Sequence, residues 1–130
     1  MKEVETDKLL VRLREDGIMH VHIKARVTVD IELQEEMLRI YDSMINGLHP
    51  FIFSAGEFLA ITREAQKNAK KIEDQSPVGA SALIVKGVAQ KLIADFYYKI
   101  DPPKRPLKVF REIDKGVEWL KTLDCYKNLQ

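Results

Sequence analysis

Residues 79–119 read GASALIVKGVAQKLIADFYYKIDPPKRPLKVFREIDKGVEW, and the order of elements in this stretch decides the fold. Ala80 to Val85 is a short unbroken run of small and apolar residues, the pattern of a strand buried on both faces. Val88 to Ile100 follows with helical spacing, its stripe made of Val88, Ala89, Leu92, Ile93, Phe96, Tyr97 and Ile100. Pro102 and Pro103 stop it, because a proline disfavours helical dihedrals in the residue before it. Leu107–Phe110 is a second short strand, and a closing helix is expected over Ile113–Leu123. The unit is β-α-β-α, and the rest of the chain is expected to pack around it.

Working outward, the amino-terminal part opens with an alternation. Leu9, Val11 and Leu13 share one face of a strand, and Leu10, Arg12 and Arg14 the other, which is largely basic. Glu15-Asp16-Gly17 supplies a hairpin turn. The returning strand sets Met19, Val21 and Ile23 against Ile18, His20 and His22. Asp30 is placed to cap a helix running to Asn46, its carboxylate accepting from the free amides of the first turn. Leu33, Met37, Ile40 and Met44 form its apolar stripe, widened by Leu38, Tyr41 and Ile45, and Gly47 ends it. Phe51–Ala55 reads as an interior strand. Thr62 is the expected cap of a peripheral helix over residues 63–72, with Ala65, Ala69 and Ile72 inward and Lys67, Lys70 and Lys71 outward.

The 130 residues predict one domain, 1–130, that buries roughly two-thirds of its unfolded surface. Apolar residues make up 45% of it, enough for a core. The 21 basic and 20 acidic residues nearly cancel, and a net charge of +1 argues against nucleic acid as a partner held by bulk electrostatics. Cys125 is the only cysteine, which excludes an internal disulfide and a thiolate zinc site. Residues 1–7 lack the apolar core of a signal peptide, and no apolar run reaches membrane-spanning length, so the expected location is cytoplasmic, with no integral membrane segment.

Chemistry-bearing motifs are scarce. His20 and His22 share a strand face, and a metal there needs His49 or a carboxylate as a third ligand. The expectation is a half-exposed strand face with no metal. There is no nucleophile elbow, phosphate-binding glycine loop or HExxH, so no catalytic residues and no cofactor are expected, and the chain is not read as an enzyme. Lys104, Arg105 and Lys108 crowd the proline-rich turn as a candidate anion-binding patch. The turn at Thr62, Arg63 and Glu64 is the candidate partner-binding site, since a helix start after an interior strand presents free amides.

Taken together, the opening hairpin, the start Thr28-Val-Asp-Ile-Glu-Leu33, the segment Ile61-Thr-Arg-Glu-Ala65 and the stretch from Ser81 to Leu120 resemble the STAS/SpoIIAA-like group of small bacterial proteins of unknown function. The resemblance spans roughly Leu9 to Leu123. It implies an α/β fold with a mixed five-stranded sheet, an antiparallel hairpin followed by β-α crossover units. The better-known relatives are anti-sigma factor antagonists and transporter-appended domains, similar in carrying a switch serine at the helix start after the third strand. Aligned on Ile61, this chain has Thr62-Arg63-Glu64-Ala65 there, without the aspartate, acceptor serine or glycine of that turn. The implied function is a non-catalytic protein-interaction or regulatory module with a protein partner, and a homodimer is left open. The competing reading is a small-molecule or lipid-binding domain with its pocket beside the Val88–Ile100 helix.

Overall fold

The computed structural model describes residues 2–87, 90–91 and 102–129. Apart from Gln90 and Lys91, the helix expected over Val88–Ile100 lies outside the described residues. In chain order the elements are β1 (Lys2–Glu5), β2 (Leu9–Leu13), β3 (Met19–Ile23), β4 (Thr28–Val29), α1 (Ile31–Met44), β5 (His49–Ala55), β6 (Ala60–Ile61), α2 (Arg63–Ile72), a 3-10 turn (Glu73–Gln75), β7 (Val78–Ile84), β8 (Leu107–Phe110), α3 (Ile113–Leu120) and α4 (Asp124–Lys127).

The main sheet is mixed and runs β1-β2-β3-β5-β7-β8. The first three strands are antiparallel neighbours, and β3, β5, β7 and β8 are parallel. This is the expected α/β arrangement with one correction: the sheet has six strands, not five. The added strand, β1, is a charged run with Val4 as its one apolar residue, too short for an alternation to show. It forms because β2 offers an open row of backbone donors and acceptors, and Arg12 Nε meets Glu3 Oε2 at 3.1 Å across the pair. Charged side chains on an edge also block further strand addition. A second small pair, β4 with β6, lies outside the main sheet.

Strand alternation divides the core in two. Leu9, Val11, Met19, Val21, Ile23 and Phe51 point to one face and are buried against Leu33, Tyr41 and Met44 of α1 and Ala65 of α2. Phe51 is wholly buried, with the Tyr41 ring edge-on at 4.8 Å and the Phe53 ring stacked at 5.7 Å. The opposite face presents Ile52, Ala80, Ala82 and Ile84 to Leu120 of α3. A Cβ on Gly116 would stand 3.2 Å from both Ala82 Cβ and Ile84 Cδ1, so the missing side chain is what lets α3 press onto β7.

Both capping expectations hold. Asp30 Oδ1 accepts from Leu33 N at 2.8 Å, and Thr62 Oγ1 accepts from Ala65 N at 3.0 Å. The helix Ile31–Met44 ends two residues before the expected Asn46, with Gly47 in the left-handed region at φ 84° after it. The closing helix stops at Leu120, and a separate short helix follows from Asp124.

Candidate functional site

The carboxyl ends of parallel strands are where α/β sheets usually present binding groups, and here three loops meet there. Gly56 N donates to Ile23 O at 2.8 Å, joining the loop after β5 to the end of β3. Gln90 Nε2 donates to Ala55 O and Gly56 O, and its Oε1 accepts from Lys86 N, which ties in the segment after β7. A Cβ on Gly56 would fall 2.7 Å from Ala25 N, so only glycine permits this approach.

Two non-glycine residues in these loops hold the left-handed backbone conformation, Arg26 at φ 62° and Phe58 at φ 61°. Each costs about 1–2 kcal/mol relative to the ordinary regions. They are coupled: Arg26 N donates to Glu57 O at 2.8 Å, and the Arg26 guanidinium lies 5.5 Å from the centroid of the Phe58 ring. Phe58 is 70% exposed, more than any other large apolar residue described. Four residues later comes the cap Thr62, half-buried, and then Arg63 and Glu64, both exposed. The turn read from sequence as a partner site therefore adjoins an exposed aromatic ring on strained backbone.

Lys104, Arg105 and Lys108 lie at the other end of the parallel strands. Arg105 Nη1 donates to Ser76 O at 2.6 Å and Val78 O at 2.9 Å, and Nη2 donates to Asp74 O at 3.2 Å. The Glu73 carboxylate accepts from the backbone N of Lys104 and of Arg105. Arg105 thus fastens the segment before β8 to the turn before β7, with its guanidinium engaged by carbonyls. Lys104 faces Asp74 at 3.7 Å in an exposed pair, and the Lys108 ammonium is 5.6 Å from the Phe110 ring. The structure does not bring this patch together with Thr62.

On the α1–α2 side a cavity of about 310 Å³ lies between the helices and the sheet. Met37, Tyr41, Phe53, Ile61 and Leu83 are among its apolar lining, and Gln90 and Pro103 line it too. Tyr41 is 3% exposed, and its hydroxyl has no hydrogen-bond partner among the described residues. Burial raises its pKa far above the ordinary phenol value, so it is a neutral donor facing an apolar space.

On the other side of the sheet the two strand histidines meet a serine. Ser54 Oγ lies 2.9 Å from His20 Nε2 and 2.9 Å from His22 Nδ1. Ser54 is buried and both imidazoles are half-buried. The parallel register places His22 directly beside Ser54, and the antiparallel one places Arg12 beside His20. The His20 pKa is lowered to about 4, first by burial and then by the positive charges of His22, Arg12 and Arg14. That of His22 is lowered by burial, then by Lys86 and Lys24. His49 is elsewhere, its Nδ1 at 2.8 Å from Gly17 O. Among the described residues no three His, Cys, Asp or Glu side chains are gathered to hold a metal ion.

Sequence reasoning missed Ser54, Phe58, Arg26 and the bare hydroxyl of Tyr41 as functional groups. The shared face of His20 and His22 was visible, but Ser54 joins them only through strand register. Among the described residues no helix is long and apolar enough to cross a membrane.

No curated protein matches the chain. Among solved structures it is similar to an uncharacterized protein of the DUF3478 family with a SpoIIAA-like fold from Shewanella loihica PV-4. The two share 14% identity over 86% of this chain and 91% of that one, with a TM-score of 0.57. That likeness concerns the fold, which is SpoIIAA-like here too. The model of a family described as a domain of unknown function, DUF7793, matches residues 12–124, most of the molecule, and the chain belongs to that family.

Proposed function

We propose that this protein is a non-catalytic interaction module whose partner protein is engaged at the carboxyl end of the parallel strands. The observation that carries the reading is Phe58, a 70% exposed ring on left-handed backbone with Arg26 over it. Strain at a residue whose ring is mostly exposed is a cost in search of a use. An exposed, pre-positioned aromatic is the kind of anchor that fills an apolar pocket on a partner. Thr62, Arg63 and Glu64 extend the contact with the free amides of a helix start.

The test uses Phe58→Gly, because glycine adopts positive φ without penalty and the variant keeps or gains stability. Partner capture by the immobilised protein, followed by a binding measurement with the purified partner, should be abolished in Phe58→Gly. It should also be abolished in the double charge reversal Arg63→Glu with Glu64→Arg, while the melting temperature stays within a few degrees of wild type. Full-strength binding by both folded variants refutes the reading.

A second reading is favoured by the cavity and the Tyr41 hydroxyl. An unsatisfied buried hydroxyl costs about 1–3 kcal/mol, and a small, mainly apolar ligand with one polar atom placed against Tyr41 Oη would recover it. Native mass spectrometry of freshly purified protein would show that ligand as an adduct lost on denaturation. Tyr41→Phe should weaken its retention without unfolding the protein.

A further inference from the structure

The His20–Ser54–His22 cluster serves neither the anchor at Phe58 nor the cavity at Tyr41. Its hydrogen bonding is incomplete by construction. Ser54 has one proton, so its hydroxyl donates to one imidazole and accepts from the N–H of the other. A neutral ring that accepts from Ser54 carries its own proton on the far nitrogen. Neither far nitrogen, Nδ1 of His20 or Nε2 of His22, has a hydrogen-bond partner among the described residues. That donor is thus aimed away from the serine and open to solvent or a ligand.

Four cations act on the cluster, and all but Lys86 are already paired with carboxylates. Arg12 and Arg14 come from β2 and the turn after it, Lys24 from the end of β3, and Lys86 from the segment after β7. The nearby carboxylates are engaged elsewhere: Glu3 with Arg12 at 3.1 Å, Asp16 with Arg14 at 3.0 Å, and Glu5 with Lys24 at 2.6 Å. The Lys86 ammonium has no hydrogen bond or ion pair among the described residues, and after burial it is the first of the charges that lower the His22 pKa. The helices described on this side of the sheet, α3 and α4, pack chiefly on β5, β7 and β8. His20, His22, Leu10 and Arg12 are accordingly only half-buried.

We propose that Ser54, His20 and His22, with Lys86 at their edge, form a receptor for a phosphate group. A tetrahedral oxyanion offers several acceptors to the outward imidazole N–H groups, whose rings Ser54 holds in place, and brings a negative charge to Lys86. Binding is coupled to proton uptake. The anion removes the electrostatic penalty on an imidazolium, each ring then donates from both nitrogens, and affinity rises as the pH falls toward the ordinary imidazole value. The site is a binding site, and no bond is made or broken.

The test is an NMR titration of the imidazole signals of the full chain with inorganic phosphate at about pH 6, where an ordinary imidazole is largely protonated, against acetate at equal ionic strength. Saturable shifts of both His20 and His22 with phosphate but not acetate are expected, with uptake of protons from the buffer on binding. Ser54→Ala and Lys86→Ala, neither of which removes a large buried side chain, should each weaken the affinity about tenfold or more, equivalent to about 1.4 kcal/mol. Methyl phosphate as a second probe separates the sources: tighter binding than phosphate means that the group arrives esterified, equal or weaker binding that it is taken free. Shifts that stay linear in phosphate, that acetate reproduces, or that survive unchanged in Ser54→Ala overturn the proposal.

Discussion

The two faces of one sheet solve different problems. Toward α1 and α2, strand alternation delivers Leu9, Val11, Met19, Val21 and Phe51 into continuous apolar contact. Toward α3, the parallel half is covered in the same way, but β2 and β3 show Arg12, His20 and His22, half-buried. The same strands therefore supply a hydrophobic layer on one side and a polar, cationic surface on the other. Both faces bury apolar residues, but only the second sets imidazoles with lowered pKa beside them. Each can be perturbed without the other, because successive residues of a strand point in opposite directions.

The largest effect is expected from Phe51→Ala. The ring is wholly buried between Tyr41 and Phe53, and its removal should destabilise the protein by about 3–5 kcal/mol, the usual cost of truncating a core aromatic. Urea unfolding at neutral pH measures it. A loss below about 1 kcal/mol, the level of an ordinary single substitution, would mean that the α1–α2 face is not the principal core.

The next effect is set by pH. Burial and neighbouring cations hold the His20 pKa at about 4 in the folded protein, against 6.5 for the unperturbed group. Between these values the unfolded chain binds more protons than the folded one, so stability falls as the pH is lowered through this window. His22 is lowered too and acts in the same direction. Melting temperatures in a buffer free of phosphate should drop from about pH 6.5 toward pH 4, and His20→Gln should flatten that drop. An unchanged acid limb in the variant would assign it to carboxylates elsewhere.

How much of this contrast is legible in the sequence depends on how local each feature is. The caps Asp30 and Thr62 were readable because donor and acceptor lie three residues apart. Leu107–Phe110 was readable because a proline precedes an apolar run, and the opposite facing of Val21 and His22 because alternation is a property of one strand. The strand β1 was not, since Lys2–Glu5 has a single apolar residue, Val4, and its ties from Glu3 to Arg12 and from Glu5 to Lys24 exist only once the strands are paired. Ser54 was read only as part of an apolar strand, because its meeting with His22 depends on a register between residues 32 apart. The left-handed turn at Phe58 was equally hidden, being held by Arg26 from a different loop. Arg105 looked like a free cation for the same reason: the three carbonyls that engage it belong to residues 74–78.

The smallest effect gives the sharpest separation of the two faces. Arg12 lies on β2 beside His20, paired with Glu3 at 3.1 Å, and both side chains are about two-fifths exposed. An exposed pair of this kind contributes about 0–1 kcal/mol, so Arg12→Ala should shift stability at neutral pH by no more than about 0.5 kcal/mol. In acid the same substitution should help. Arg12 is one of the charges opposing protonation of His20, ranking after burial and after His22. Without it the folded-state pKa of His20 rises part of the way toward its unfolded value, the difference in bound protons shrinks, and less stability is lost as the pH falls. The variant should therefore match wild type near neutrality and exceed it modestly near pH 5, about the middle of the His20 window. Thermal melts at the two pH values, with His20→Gln as background, decide it. If Arg12→Ala still gains in acid when His20 is glutamine, the gain does not come from His20, and the open face is not the source of the acid sensitivity.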